Sequence, residues 1–211
     1  SLVPEGSLTA SRLLTHYAYD IYHETADYTS ALRAFDRAIT IARRAGDTAL
    51  EALTLSMAAH VESDEIHWQE SLDKSLQAIA LLPGGEDPDA EAWARRTAFE
   101  ALRAMCDFDG AKRQAEAEVL SLERLPQRHK AMALQHNMVT SYQRGDWDAA
   151  RAFCDRGLES APRNPQILGC RTQLEFETGN FELEMTFLDT LILAMNQRGP
   201  DAPQPFAVAA G

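Results

Sequence analysis

Lysine is almost missing from this chain. Only Lys74, Lys112 and Lys130 occur among 20 basic residues, and 32 acidic residues leave a formal charge of −12. The mean field of such a surface repels phosphate backbones and anionic lipid, so neither direct nucleic-acid contact nor membrane attachment is expected. The other 17 basic residues are arginines, whose planar forks suit carboxylate or phosphate at local positive spots. Cysteine is scarce too: Cys106, Cys154 and Cys170 are odd in number, widely spaced and lack a C-x-x-C pair, the usage of a reducing compartment. They read as small buried side chains, and a cytoplasmic location is expected. No apolar run approaches the ~18 residues of a bilayer span, and no basic-then-apolar leader opens the sequence. No stretch alternates with period two, so strands are not expected. G-x-x-x-x-G-K-[ST], G-x-G-x-x-G and G-x-S-x-G are all absent, and Gly84-Gly85 precedes Glu86 and Asp87, whose charge repels a phosphate. The chain therefore reads as non-enzymatic, with no catalytic residue and no cofactor.

What is present is a repeat. An aromatic returns at Tyr28, Trp68, Phe108, Trp147 and Phe181, at steps of 40, 40, 39 and 34 residues, each time after a polar or turn-forming pair. Ala26-Asp27, Ile66-His67, Cys106-Asp107, Gly145-Asp146 and Gly179-Asn180 are those pairs. A period of this length signals stacked helical hairpins, because one such unit cannot bury its apolar face alone. The residues before each ring predict a first helix and those after it a second, longer one. Stop signals follow at Gly46-Asp47, Pro83-Gly84-Gly85, Leu125-Pro126, Ala161-Pro162 and Gly199-Pro200. Small residues stand three places after the ring at Ala31, Ser71, Ala111 and Ala150, where two helices need close approach, and Glu184 breaks that pattern. Apolar stripes such as Leu32, Phe35, Ala38, Ile39 and Ala42 are core.

The segment Ser141–Pro165, with Gly145, Asp146, Trp147, Ala150, Gly157 and Pro162 at marker positions, resembles the turn and second helix of a tetratricopeptide repeat (TPR). The resemblance runs over about residues 10–198 and is strongest in unit four. It implies an all-α, right-handed superhelical solenoid of about five hairpins and ten helices. Tyr19, Phe99, Met138 and Thr172 replace the small residue usual in the first helix, and Glu118 and Leu191 the one late in the second. The ~40-residue steps, read as a lengthened second helix, resemble the helical-repeat sensor regions of large bacterial transcriptional regulators.

Residues 1–7 are set aside as a flexible tail or cloning remnant, and 8–198 form one solenoid domain with units of about 8–46, 47–85, 88–126, 127–164 and 165–198. Residues 199–211 read as a tail or as the start of a sixth unit, and the native polypeptide is expected to continue.

The TPR resemblance places a concave groove on the first helices. It assigns to that groove His16, Asp20 and His23 with Glu24; His60 with Ser56 and Asp64; Trp93, Arg96, Glu100 and Arg103; Gln135 and Tyr142 with Val139 and Gln143; and Gln173 with Phe176. Arg96 and Arg103 lie two turns apart on one helical face, and with Trp93 they can hold a carboxylate or phosphate beside an apolar group. The competing reading is a solvated face on which Glu100 pairs with both arginines. The spacing of His16, Asp20 and Glu24, repeated in His60 and Asp64, raises the idea of metal, but H-E-x-x-H is missing and no metal site is expected. A protein or peptide segment is the expected partner. The alternatives are a homodimer through the terminal helices, using Phe187, Leu188, Ile192 and Met195, or a small-ligand receptor.

Overall fold

The computed structural model describes residues 3–83, 87–125 and 127–197. The stop signals at Gly84-Gly85, Pro126 and Gly199-Pro200, and the tail or sixth hairpin expected over 199–211, lie outside the described residues. Among the described residues there are ten α-helices and no strand. They are α1 (Leu8–Thr25), α2 (Tyr28–Ala45), α3 (Thr48–Asp64), α4 (Trp68–Ala80), α5 (Pro88–Ala104), α6 (Phe108–Leu120), α7 (Gln127–Gln143), α8 (Trp147–Ser160), α9 (Pro165–Glu177) and α10 (Phe181–Asn196). A single 3-10 turn, Leu122–Arg124, follows α6.

Every marker aromatic is the first residue of the second helix of its hairpin. Two places earlier the backbone is left-handed in all five bends: φ is 55° at Ala26, 64° at Ile66, 62° at Cys106, 74° at Gly145 and 78° at Gly179. The residue between is the N-cap, and Asp27, Asp107 and Asp146 accept the backbone N–H of Ser30, Gly110 and Ala149. Four of the bends close with an N–H reaching back five residues: His67 to the Glu62 carbonyl, Asp107 to Leu102, Asp146 to Ser141 and Asn180 to Glu175. That is the Schellman arrangement, whereas the first bend uses the shorter bond from Ala26 to Tyr22. The repeated element is thus a backbone conformation, and only two of its five positions carry the glycine that adopts it freely. In the fourth and fifth hairpins the ring folds over the bend. Trp147 meets Tyr142 at 5.3 Å and Phe181 meets Phe176 at 6.0 Å, centroid to centroid.

The length expectation is corrected. α4, α6 and α8 have 13, 13 and 14 residues against 17 each in α3, α5 and α7, so in hairpins two to four the extra residues sit in the first helices. Chain breakers explain this. Pro83, the 3-10 turn and Pro162 end the second helices early, while Asp47 and Asp87 cap α3 and α5 through the N–H groups of Leu50 and Ala90.

The chain divides into two compact units, Ser1–Gln114 with Arg124–Pro126, and Ala115–Glu123 with Gln127–Gly211. In the first, α1 to α5 pack in succession around a core rich in alanine, and Ala18, Ala31, Phe35, Ala58 and Val61 are essentially inaccessible. The hydroxyls of Thr15 and Thr54, 2.8 Å apart, join α1 to α3 inside it. In the second, α7 to α10 enclose Met138, Ala150, Cys154, Ile167 and Leu174. Ala31, Ser71, Ala111 and Ala150 are fully buried, as close helix contact requires, while Glu184 is half-buried.

Each unit holds one buried carboxylate six residues before a marker ring. Glu62 accepts from Lys74 Nζ at 2.7 Å and Tyr28 Oη at 2.6 Å and meets His67 Nδ1 at 3.1 Å. Glu175 accepts from Arg151 Nε at 3.0 Å, Arg171 Nε at 2.6 Å and Asn180 Nδ2 at 2.8 Å. Burial pushes both carboxyls up, but the hydrogen bonds and cations prevail and both lie below the usual glutamate value of 4.5.

Two outcomes follow from these bends and anchors. Ile66 is 68% exposed and β-branched at positive φ, so Ile66→Gly relieves strain without losing packing and raises stability by about 1 kcal/mol in urea unfolding. Glu175→Ala leaves two guanidinium groups facing a gap and costs about 3 kcal/mol. Because the native carboxyl is depressed, its contribution is complete above pH 4.5 and fades as pH falls through the lower folded value. The acid limb of the wild-type melting curve is therefore steeper than that of the variant.

Candidate ligand-binding face

Within the first compact unit, α3 packs against both α1 and α5, which sets the first helices of three consecutive hairpins side by side. Spacing then decides what they present. Tyr19 and His23 are one turn apart on α1, His60 and Asp64 on α3, and Trp93, Arg96 and Glu100 form one stripe on α5. The stripes meet in a continuous group of rings. Tyr19 touches His23 at 4.2 Å edge-on, stacks with His60 at 5.9 Å and meets Trp93 at 6.4 Å. His60 lies 5.5 Å from Trp93 and 6.0 Å from His23.

The charges around these rings are unevenly satisfied. Arg96 sits over the Trp93 ring at 5.5 Å and pairs with Glu100 at 3.0 Å. Arg103 does not share that carboxylate: its guanidinium lies 5.7 Å from the Phe99 centroid and its Nε is buried without a hydrogen-bond partner. Burial lowers the His60 pKa below 6.5, with Asp64 pulling the other way and Arg96 adding to the depression. Burial and the Asp64 charge raise that of Tyr19, against Arg96.

The residues anticipated for the groove divide into groups. His23, His60, Trp93, Arg96 and Glu100 belong to the ring face, and Arg103 lies one turn beyond Glu100 on α5. His16 and Asp20 are exposed on α1, and no ring contact joins His16 to the group. Ser56 is buried, its hydroxyl donating to the Ala52 carbonyl. The remaining candidates lie in the second compact unit. Gln135 is only 8% exposed and directs its amide at Cys170 Sγ at 3.7 Å, so it is part of the interior. Tyr142 and Gln173 approach at 3.5 Å, and Gln173 also donates to Glu177 at 3.1 Å. Burial and the hydrogen bond to Glu177 push the Tyr142 hydroxyl up. Tyr19 is the residue that sequence reasoning set aside as a packing irregularity. Its available signal was the one-turn spacing from His23.

No protein-family model and no curated protein sequence matches this chain. Solved structures do. A structure of nearly identical TPR-like repeats from a kinesin light chain-like protein of Podosopora anserina superposes with a TM-score of 0.70 at 11% identity, over 90% of this chain and 97% of that one. BtubC (BKLC) from P. vanneervenii superposes with a TM-score of 0.63 at 14% identity, over 97% of this chain and 95% of that one. The fold is thus that of TPR-like helical repeats. No helix among the described residues is long and apolar enough to cross a membrane.

The buried His60 generates a pH dependence. Its folded pKa lies below the unfolded 6.5, so its contribution is complete above pH 6.5 and is lost as pH falls toward the folded value. The melting temperature of the wild type drops between pH 7.5 and 5.5, above the range where Glu62 and Glu175 titrate. In His60→Gln that drop is smaller, as differential scanning calorimetry across the interval will register.

Proposed function

We propose that the chain is a non-enzymatic module that docks a peptide or protein segment on the ring face of α1, α3 and α5. The observation that carries this reading is the contact of Tyr19, His60 and Trp93 from three successive first helices. It makes a preformed aromatic platform without any loop to order. Arg103 supports it, since a buried guanidinium nitrogen without a partner is costly unless an incoming acceptor meets it. The occupant is an extended segment with an aromatic or aliphatic side chain for the platform and a carboxylate for Arg103. Fold-level likeness agrees with this class, because stacked hairpins expose long rigid surfaces. The ~40-residue steps favour a place in the sensor region of a larger bacterial regulator.

Self-association through α10 is a second reading, with a second copy of the chain as the occupant. α10 packs chiefly on α9 and exposes Leu183, Met185, Ile192 and Leu193, the last at 61%, while Phe187, Leu188 and Met195 are half-buried.

A random peptide library panned on the whole chain tests the first reading. Selected sequences are enriched in an acidic residue near an aromatic one, and Trp93→Ala and Arg103→Gln each weaken them by about tenfold, or 1.4 kcal/mol. Unchanged affinity in both variants overturns it. For the second, light scattering shows a concentration-dependent mass that Leu193→Glu returns to the monomer value; a constant monomer mass removes it.

A further inference from the structure

We propose that His23, His60 and Asp64 form a binding site for one zinc-type divalent cation, bridging α1 and α3. Each residue offers one donor atom, and the three donors lie within 4.8 Å of one another. Tetrahedral zinc with bonds of about 2.0–2.1 Å holds its ligand atoms about 3.4 Å apart. His23 and Asp64 are exposed, so small rotations of their side chains close the difference. Two imidazoles and one carboxylate are a donor set that zinc and its first-row neighbours favour, and three protein donors leave a fourth position for water.

Three further observations bear on this site. His60 Nδ1 is buried and has no hydrogen-bond partner, a state that burial penalises and that a coordinate bond made through this nitrogen would relieve. Asp64 is the last residue of α3, where the helix dipole disfavours a carboxylate, and its side chain makes no hydrogen bond or ion pair among the described residues. The rings of Tyr19, Tyr22 and Trp93 flank the two histidines and restrict their orientations, as the surroundings of a metal site must. The absence of H-E-x-x-H is no objection, because that motif places both histidines on one helix, whereas here two helices share them. Cysteine does not compete at neutral pH through Cys154, whose thiol burial pushes up to about 12.

The inference goes beyond peptide docking and is tested without any peptide. The full chain, stripped with a chelator, is titrated with zinc chloride by calorimetry and with cobalt(II) chloride by visible absorption. One equivalent binds, and cobalt gives the intense d–d band of tetrahedral coordination. His23→Ala and Asp64→Asn, both at exposed positions, each weaken zinc by roughly tenfold or more and abolish the band, with unchanged circular dichroism. His16→Ala leaves both signals intact. Absence of saturable binding at one equivalent, or wild-type affinity in both His23→Ala and Asp64→Asn, overturns the proposal.

Discussion

The left-handed residue at each hairpin bend is the constraint on which the rest depends. It turns the chain in two residues, so the cap that follows starts the second helix at once and the marker ring always lands at its first position. Ala26, Ile66 and Cys106 adopt this conformation although an L side chain resists it, by roughly 1–2 kcal/mol each. Closing bonds and caps around the bend compensate. The orphan carbonyls of the first helix are met by the Schellman N–H groups, and Asp27, Asp107 and Asp146 satisfy the opening N–H groups of the second.

With the bends set, the helices are brought together by small residues and held by a few ionic anchors. Alanine cores stabilise little per side chain, since a methyl group buries little apolar area. Backbone approach is what they contribute, and it lets longer side chains interdigitate around them. Glu62 and Glu175 stand in the same register of different hairpins: Glu62 ties α3 to α4 through Lys74 and to the turn residue His67, whereas Glu175 ties α9 to the preceding α8 through Arg151 and to the turn residue Asn180. Such carboxylates cost desolvation and return it only with every acceptor position in use, so they favour one arrangement of the hairpin over neighbouring ones.

The ring face follows from the same geometry. In the first compact unit α1, α3 and α5 lie next to one another, so side chains far apart in sequence become neighbours. Tyr19, His60 and Trp93 meet, the first two stacked and the third edge-on to both, because α3 stands between α1 and α5. The ring contacts and the His–Asp cluster belong to this one surface of the first compact unit, and Arg103 lies one turn beyond Glu100 on the same helix.

Much of the fold was legible in the residues. The period of the rings, the Asp and Asn caps and the Pro and Gly stops are local signals whose physics acts within a few residues of chain, and they gave five hairpins of helices. Helix length was misassigned because a cap fixes a start while nothing local shows how far α3, α5 and α7 run. The candidate site was half legible: the TPR resemblance marked His23, His60, Trp93, Arg96 and Glu100. It could not show that Gln135 turns inward to Cys170, that Arg103 leaves Glu100 to Arg96, or that Tyr19 joins the face. By itself the sequence determined the repeat and its bends, because backbone conformation and capping are short-range. Tertiary structure alone decided which side chains meet, because ring stacking, burial of His60 and the convergence of donors on it depend on distances between helices that no spacing along one helix encodes.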